Sequence, residues 1–109
     1  MPTINFNSLF SSLETGVANL AKTTVKQYAT QAEADGKGFL TNAKSDLQTW
    51  TDQLAKGEIS KDDFSDLLLG QKDLLALTAL KQVGLSEIAL DNFKNGIFNL
   101  IETTVFSVI

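Results

Sequence analysis

The sequence predicts an all-α protein, and three observations carry that prediction. Two are seams of apolar residues at alternating spacings of three and four, the signature of a helix face. The third is a segment, residues 64–85, whose leucines are too dense for one face and which calls for walls on every side. The expected architecture is a long N-terminal helix over about 8–56, then a helical hairpin over about 60–83 and 86–108. Together they make one helical bundle domain, 1–109, that associates with copies of itself.

The first seam runs Phe6, Phe10, Leu13, Val17, Leu20, Thr24 and Tyr28. Residues 1–7 read as a short lead-in, with Asn7 or Ser8 as the cap of the first helix. The stretch 29–38 is lean, and the seam resumes at Leu40, Ala43, Leu47, Trp50 and Leu54. Two readings compete here. Gly36 and Gly38 beside Asp35 are a turn signal, whereas the phase through Ala29, Ala32, Gly36, Leu40 and Ala43 keeps step as in one unbroken helix. The phase favours continuity, which would make the helix about 70 Å long, far beyond a compact domain of this length with its radius of gyration near ~13 Å.

Gly57 after Lys56 reads as a helix-ending C′ glycine. Ser60 followed by Lys61, Asp62 and Asp63 reads as an N-cap with acids at the positive end of the helix dipole. On the helix that follows, Leu74, Leu75, Leu77 and Leu80 point in four directions, so it is expected to be buried all round. Gly84, Leu85, Ser86 and Glu87 mark a stop and a new cap. The last helix carries Leu90, Phe93, Ile97, Leu100/Ile101, Val105 and Val108 on one stripe, widened by Phe98 and Ile109, with Phe106 opposite.

Composition excludes several function classes. The chain of 109 residues is 43% hydrophobic and 20% charged, the balance of a folded domain. It has no cysteine and no histidine, so thiolate chemistry, the commonest general base and the commonest metal ligands are missing. All nine basic residues are lysines and the net charge is −4, which removes bidentate phosphate and base recognition and argues against nucleic acid as a partner. The opening residues lack the basic start of a secretory signal, and no run approaches the length of a membrane-spanning helix. The chain is expected to be cytoplasmic when made, with signal-independent export left open.

Asp62, Asp63 and Asp66 fit DDxxD, the spacing that holds magnesium and diphosphate in isoprenoid enzymes. Acids in a first helical turn are explained more simply by capping, and no second acidic motif faces them. Gly36-Lys37-Gly38 lacks the glycine spacing, the following hydroxyl residue and the preceding strand of a phosphate loop. The serines and threonines have no basic partner, so no nucleophile is assembled. No catalytic residue, cofactor or metal is expected.

What stands out is apolar surplus in the second half. The expectation is a structural or assembly protein that forms a homo-oligomer or docks on a larger protein complex through Trp50, Phe93, Ile97, Phe98, Ile101, Val105 and Phe106. The alternative is a membrane-active protein that releases the charge-poor stretches 74–80 and 95–109 onto a bilayer. A carrier with an apolar pocket between helices is a third reading without a mark of its own.

Overall fold

The computed structural model of the chain describes residues 5–109, except for the side chain of Asp73. The chain is helical, with no strand among the described residues: α1 (Phe6–Thr24), α2 (Ala29–Ala55), α3 (Lys61–Leu69), α4 (Thr78–Gln82) and α5 (Glu87–Val108). Two 3₁₀ turns, Lys26–Tyr28 and Lys72–Leu74, stand before α2 and after α3.

The first helix starts earlier than expected. Asn5, not Asn7 or Ser8, is the cap, its side-chain oxygen accepting the Ser8 amide at 3.2 Å. Phe6 is buried with the rest of the seam, and a start after Asn5 puts it on the helix. The first four residues of the expected lead-in lie outside the described residues.

The expected 8–56 helix is two antiparallel helices: the chain reverses at residues 25–28, a point neither reading placed, while the favoured continuity through 36–38 holds. Helix-weak residues crowd that point: Thr23, Thr24 and Val25 are β-branched. The Thr23 hydroxyl donates to the Asn19 carbonyl at 3.0 Å and the Thr24 hydroxyl to the Leu20 carbonyl at 2.6 Å. Such back-bonding destabilises a helix locally. α2 then passes unbroken through Gly36 and Gly38, and its 27 residues cover about 40 Å, nearly the whole 45 Å length of the molecule. Folding back at 25–28 also brings the radius of gyration to 13.9 Å.

α2 ends as the sequence predicts. Gly57, at φ 76°, lets the Glu58 amide reach the Gln53 carbonyl at 2.8 Å and its own amide reach Leu54, a Schellman close. Ser60 and Asp63 then form a reciprocal capping box at 3.0 Å in both directions.

The helix expected over 60–83 is broken. α3 stops at Leu69, and the chain crosses to the five-residue α4 through the 3₁₀ turn and an extended link. Leu75 and Leu77, two apart as on a strand, both turn inward, as does Leu80, while Leu74 points out at 53% exposure. The all-round burial expected of this segment is therefore met by an irregular path for three of its four leucines. Gly84 closes α4 in a second Schellman motif, Leu85 donating to the Leu80 carbonyl at 3.2 Å, and Ser86 caps α5 through the Ala89 amide at 3.2 Å.

The result is an up-down-up-down bundle whose third member is discontinuous. α1, α2 and α5 supply most of the core; α3 covers the end where α5 finishes, and α4 lies on α2 toward the end where α5 begins. Leu13, Val17, Phe39, Leu40, Leu47, Phe64, Leu68, Phe93, Ile97 and Ile101 are buried. Phe39 meets Phe98 edge-on, with ring centroids 5.8 Å apart. No described helix is long and apolar enough to cross a membrane.

Candidate functional site

The α5 residues expected at an interface are placed in the chain's own core. Phe93, Ile97 and Ile101 are 0% exposed, Val105 1% and Phe98 5%. Stripes three and four apart pack on α1 and α2, which the fold-back at 25–28 brings alongside. A surface made of these five side chains is not present on the folded single chain. Phe106 is half-buried and engaged: its ring stands edge-on to Phe64 at 5.6 Å, and the Lys61 ammonium lies 5.4 Å above it. Trp50 is half-buried against the core.

The apolar side chains that do face outward are others. Leu67 (37%), Leu69 (52%) and Leu74 (53%) lie within eight residues of one another on the third member of the bundle, with Ile88 (76%) at the start of α5 and Val108 (44%) and Ile109 (41%), expected on the apolar stripe or widening it, at its end. On α3, Phe64 and Leu68 sit one turn apart and are buried. Leu67 and Leu69 each fall about 100° to one side of Leu68 and cannot follow it inward. The run Leu67-Leu68-Leu69 held this signal, since three consecutive leucines never share one helix face.

The polar residues singled out in the sequence serve the fold. The Ser60 amide, with the Ser60 hydroxyl beside it, holds the Asp63 carboxyl below its usual value. Asp62 and Asp66 are exposed on the same helix, and no three acidic groups converge as a metal site among the described residues. Lys37 lies inside α2 and pairs with Glu33 at 2.7 Å. That hydrogen bond lowers the Glu33 carboxyl and raises the Lys37 amine, and an exposed pair of this kind contributes little.

One polar contact has no counterpart in the sequence reading. Asp35 of α2 accepts the Ala79 amide at 3.1 Å and the Leu80 amide at 2.9 Å, one on each carboxylate oxygen. It caps α4 from 44 residues away, because Leu77, the residue in the cap position, offers no side-chain acceptor. Two surface grooves are lined chiefly by hydroxyl side chains. One, between the start of α1 and the end of α5, is lined by Ser8, Ser12, Thr104 and Ser107; the other, at the 25–28 reversal, by Thr23, Thr24, Tyr28 and Leu85. Two further grooves gather charges of both signs: Glu14, Lys22 and Lys37 line one, and Lys81, Glu87, Asp91 and Lys94 the other.

Comparison with protein-family models, with curated proteins and with solved structures finds no match for this chain.

Proposed function

We propose that this chain is a non-enzymatic helical assembly module that self-associates through the outward leucines of its third member. The carrying observation is the apolar character of α3 and its extension on both sides. Phe64, Leu68 and Leu75 fill the inner side, while Leu67, Leu69 and Leu74 stand 37%, 52% and 53% exposed. Exposed leucines scattered singly are ordinary, but here Leu67 and Leu69 flank the outer side of α3 and Leu74 follows on the 3₁₀ turn, three within eight residues, which is the density a partner surface needs. A second copy is the simplest occupant, because a leucine patch is complementary to itself across a two-fold axis. The absence of histidine, cysteine and arginine from the whole sequence favours association over chemistry.

The membrane-active alternative draws less support. The charge-poor stretch 95–109 would have to withdraw Ile97, Phe98, Ile101 and Val105 from the core before it met a bilayer.

Light scattering at several concentrations without detergent tests the proposal, alongside the double variant Leu69→Glu/Leu74→Glu. A mass that is a multiple of 11.8 kDa, reduced to one chain in the variant at unchanged helicity, supports it. A single chain at every concentration overturns self-association and shifts the reading to docking on a foreign complex. Leakage from lipid vesicles would instead favour the membrane alternative.

A further inference from the structure

Each of the other three members of the bundle is one continuous helix; the third is not. Its upper part, α4, has five residues, too few to sustain a helix by internal hydrogen bonds, so its leading amides need acceptors from elsewhere. Asp35 supplies two. Immediately before it, Leu77 sits at φ 53°, ψ 41°, a left-handed conformation that a residue with a Cβ holds only when its surroundings compel it. The compulsion is burial, since Leu77 is 3% exposed. At the far end Gly84, at φ 81°, turns the chain into α5.

The rest of the bundle is locked without this segment. A Cβ on Gly16 of α1 would lie 2.8 Å from the Leu100 side chain of α5, and one on Gly96 of α5 would lie 3.1 Å from Leu20 of α1. Gly36 of α2 takes the Val17 side chain of α1 in the same way. These knobs and notches join α1, α2 and α5 to one another. α3 is fastened separately, by Phe64 against Phe106.

We propose that residues 70–84 form a latch that opens as a unit while α1, α2 and α5 stay packed, and that Asp35 is its catch. Opening releases the Leu77 backbone from its left-handed conformation, draws Leu75, Leu77 and Leu80 out of the core and bares the flank of α2 on which α4 rests. The chain thus has a second state with more apolar surface than the closed one. The latch does not depend on self-association and operates in a single chain.

Native-state hydrogen exchange on the full chain, over a series of low urea concentrations, tests it. In the wild type the Ala79, Leu80 and Lys81 amides are expected to exchange at least about a hundredfold faster than those of Leu40 and Ile97, with a shared urea dependence that is measurable but smaller than that of global unfolding, as a sub-global opening shows. Asp35→Ala should speed exchange at Lys81 by about tenfold or more, the loss of two charge-assisted hydrogen bonds; Leu40 and Ile97, which exchange through openings that also release the latch, should speed by no more than that factor and keep their steeper urea dependence. The Lys81 amide is the sensitive reporter because it bonds to the Leu77 carbonyl, not to Asp35. Asp35→Asn, which keeps one acceptor, should fall between. The latch is overturned if the α4 amides of the wild type exchange only with the urea dependence of α2 and α5. Unchanged exchange at Lys81 in Asp35→Ala would equally overturn it, since the catch would then hold nothing.

Discussion

Gly36 of α2 and Val17 of α1 meet so closely that a methyl group on the glycine would overlap the valine side chain. The crossing of the two helices rests on that missing Cβ, and Ile97 of α5 closes the same point, 3.5 Å from where the Cβ would stand. Two residues along, Gly38 has nothing within 4 Å of its own missing Cβ. The pair that resembles a turn in the sequence is one packing notch and one plain helix glycine.

The two glycines should therefore answer the same substitution with opposite signs. Gly36→Ala forces α1 and α2 apart and is expected to destabilise by about 1–3 kcal/mol, as overpacking of a close contact does. Gly38→Ala adds a good helix former at an open position and should stabilise by about 0.5–1 kcal/mol. Urea denaturation followed by circular dichroism reads both. Shifts in the same direction would mean that α2 does not cross α1 at Gly36.

Thr51 is 0% exposed on α2, and its hydroxyl has no hydrogen-bond partner among the described residues. A hydroxyl buried in that state costs about 1–3 kcal/mol. Thr51→Val replaces it with a methyl group of similar volume and should raise stability by about 1–2 kcal/mol. For a domain of this length that is a rise of roughly 4–8 °C in Tm per kcal/mol. A lower Tm in the valine variant would show that the hydroxyl is satisfied in solution.

These local features differ in how legible they were. Four helix ends were readable because the closing residue and its partner are near in sequence: Gly57, Gly84, Ser60 and Ser86 all end or begin helices as expected, whereas the Asn5 cap of α1 was expected two or three residues later. The core face of each long helix was readable from spacing, so Leu13, Val17, Leu40, Leu47, Phe93 and Ile101 are all buried. The reversal at residues 25–28 was not, because it is marked by competing threonine hydroxyls and a β-branched run instead of glycine or proline. The continuity of the helix through Gly36 and Gly38 was readable from the phase of the seam, and the competing turn reading fails there because a residue without a Cβ serves close packing as well as a turn. Asp35 was unreadable as a cap, for its partners lie across the fold. The expected interface residues Phe93, Ile97, Phe98, Ile101 and Val105 belong to an apolar surplus that the bundle absorbs once α1 and α2 fold back as a pair, while Phe106 packs on Phe64 of α3 and Trp50 of α2 is half-buried. The outward leucines became visible only when Phe64 and Leu68 fixed the inner face of α3.

The capping box of α3 predicts an acid response. Ser60→Ala should cost about 1 kcal/mol at neutral pH by removing one side of the box. The other side is the Asp63 carboxylate, whose folded-state pKa is depressed by its hydrogen bonds to Ser60. A depressed carboxylate adds stability that is fully present above its ordinary value and is lost as pH falls through the lower folded-state value. Glu33, lowered by Lys37, acts with the same sign. Thermal melts on the acid side of neutrality should show the wild type losing more stability on acidification than Asp63→Asn does. Parallel pH profiles for the two would remove Asp63 as a contributor.

Charging the α5 stripe and charging the outer leucines should have separable consequences. Ile97 is 0% exposed and stands against Gly36 at the helix crossing, so an acid there is an unpaired charge in the interior. Ile97→Asp is expected to cost about 4 kcal/mol or more, a large part of the stability of a domain this size. Helicity should therefore collapse, whatever the state of association. Leu69 is 52% exposed with no such neighbour to offend, and Leu69→Glu should stay within about 0.5 kcal/mol of the wild type for the isolated chain. Its effect belongs to association alone, which light scattering reads while circular dichroism stays unchanged. The decisive combination is helicity and mass measured together on both variants. Should Ile97→Asp keep full helicity and merely lose mass, α5 would be an intersubunit helix and the single-chain core described above would be wrong. Should it melt while Leu69→Glu stays folded with a smaller mass, the bundle and its outer surface are two separate structures, one built for folding and the other for contact.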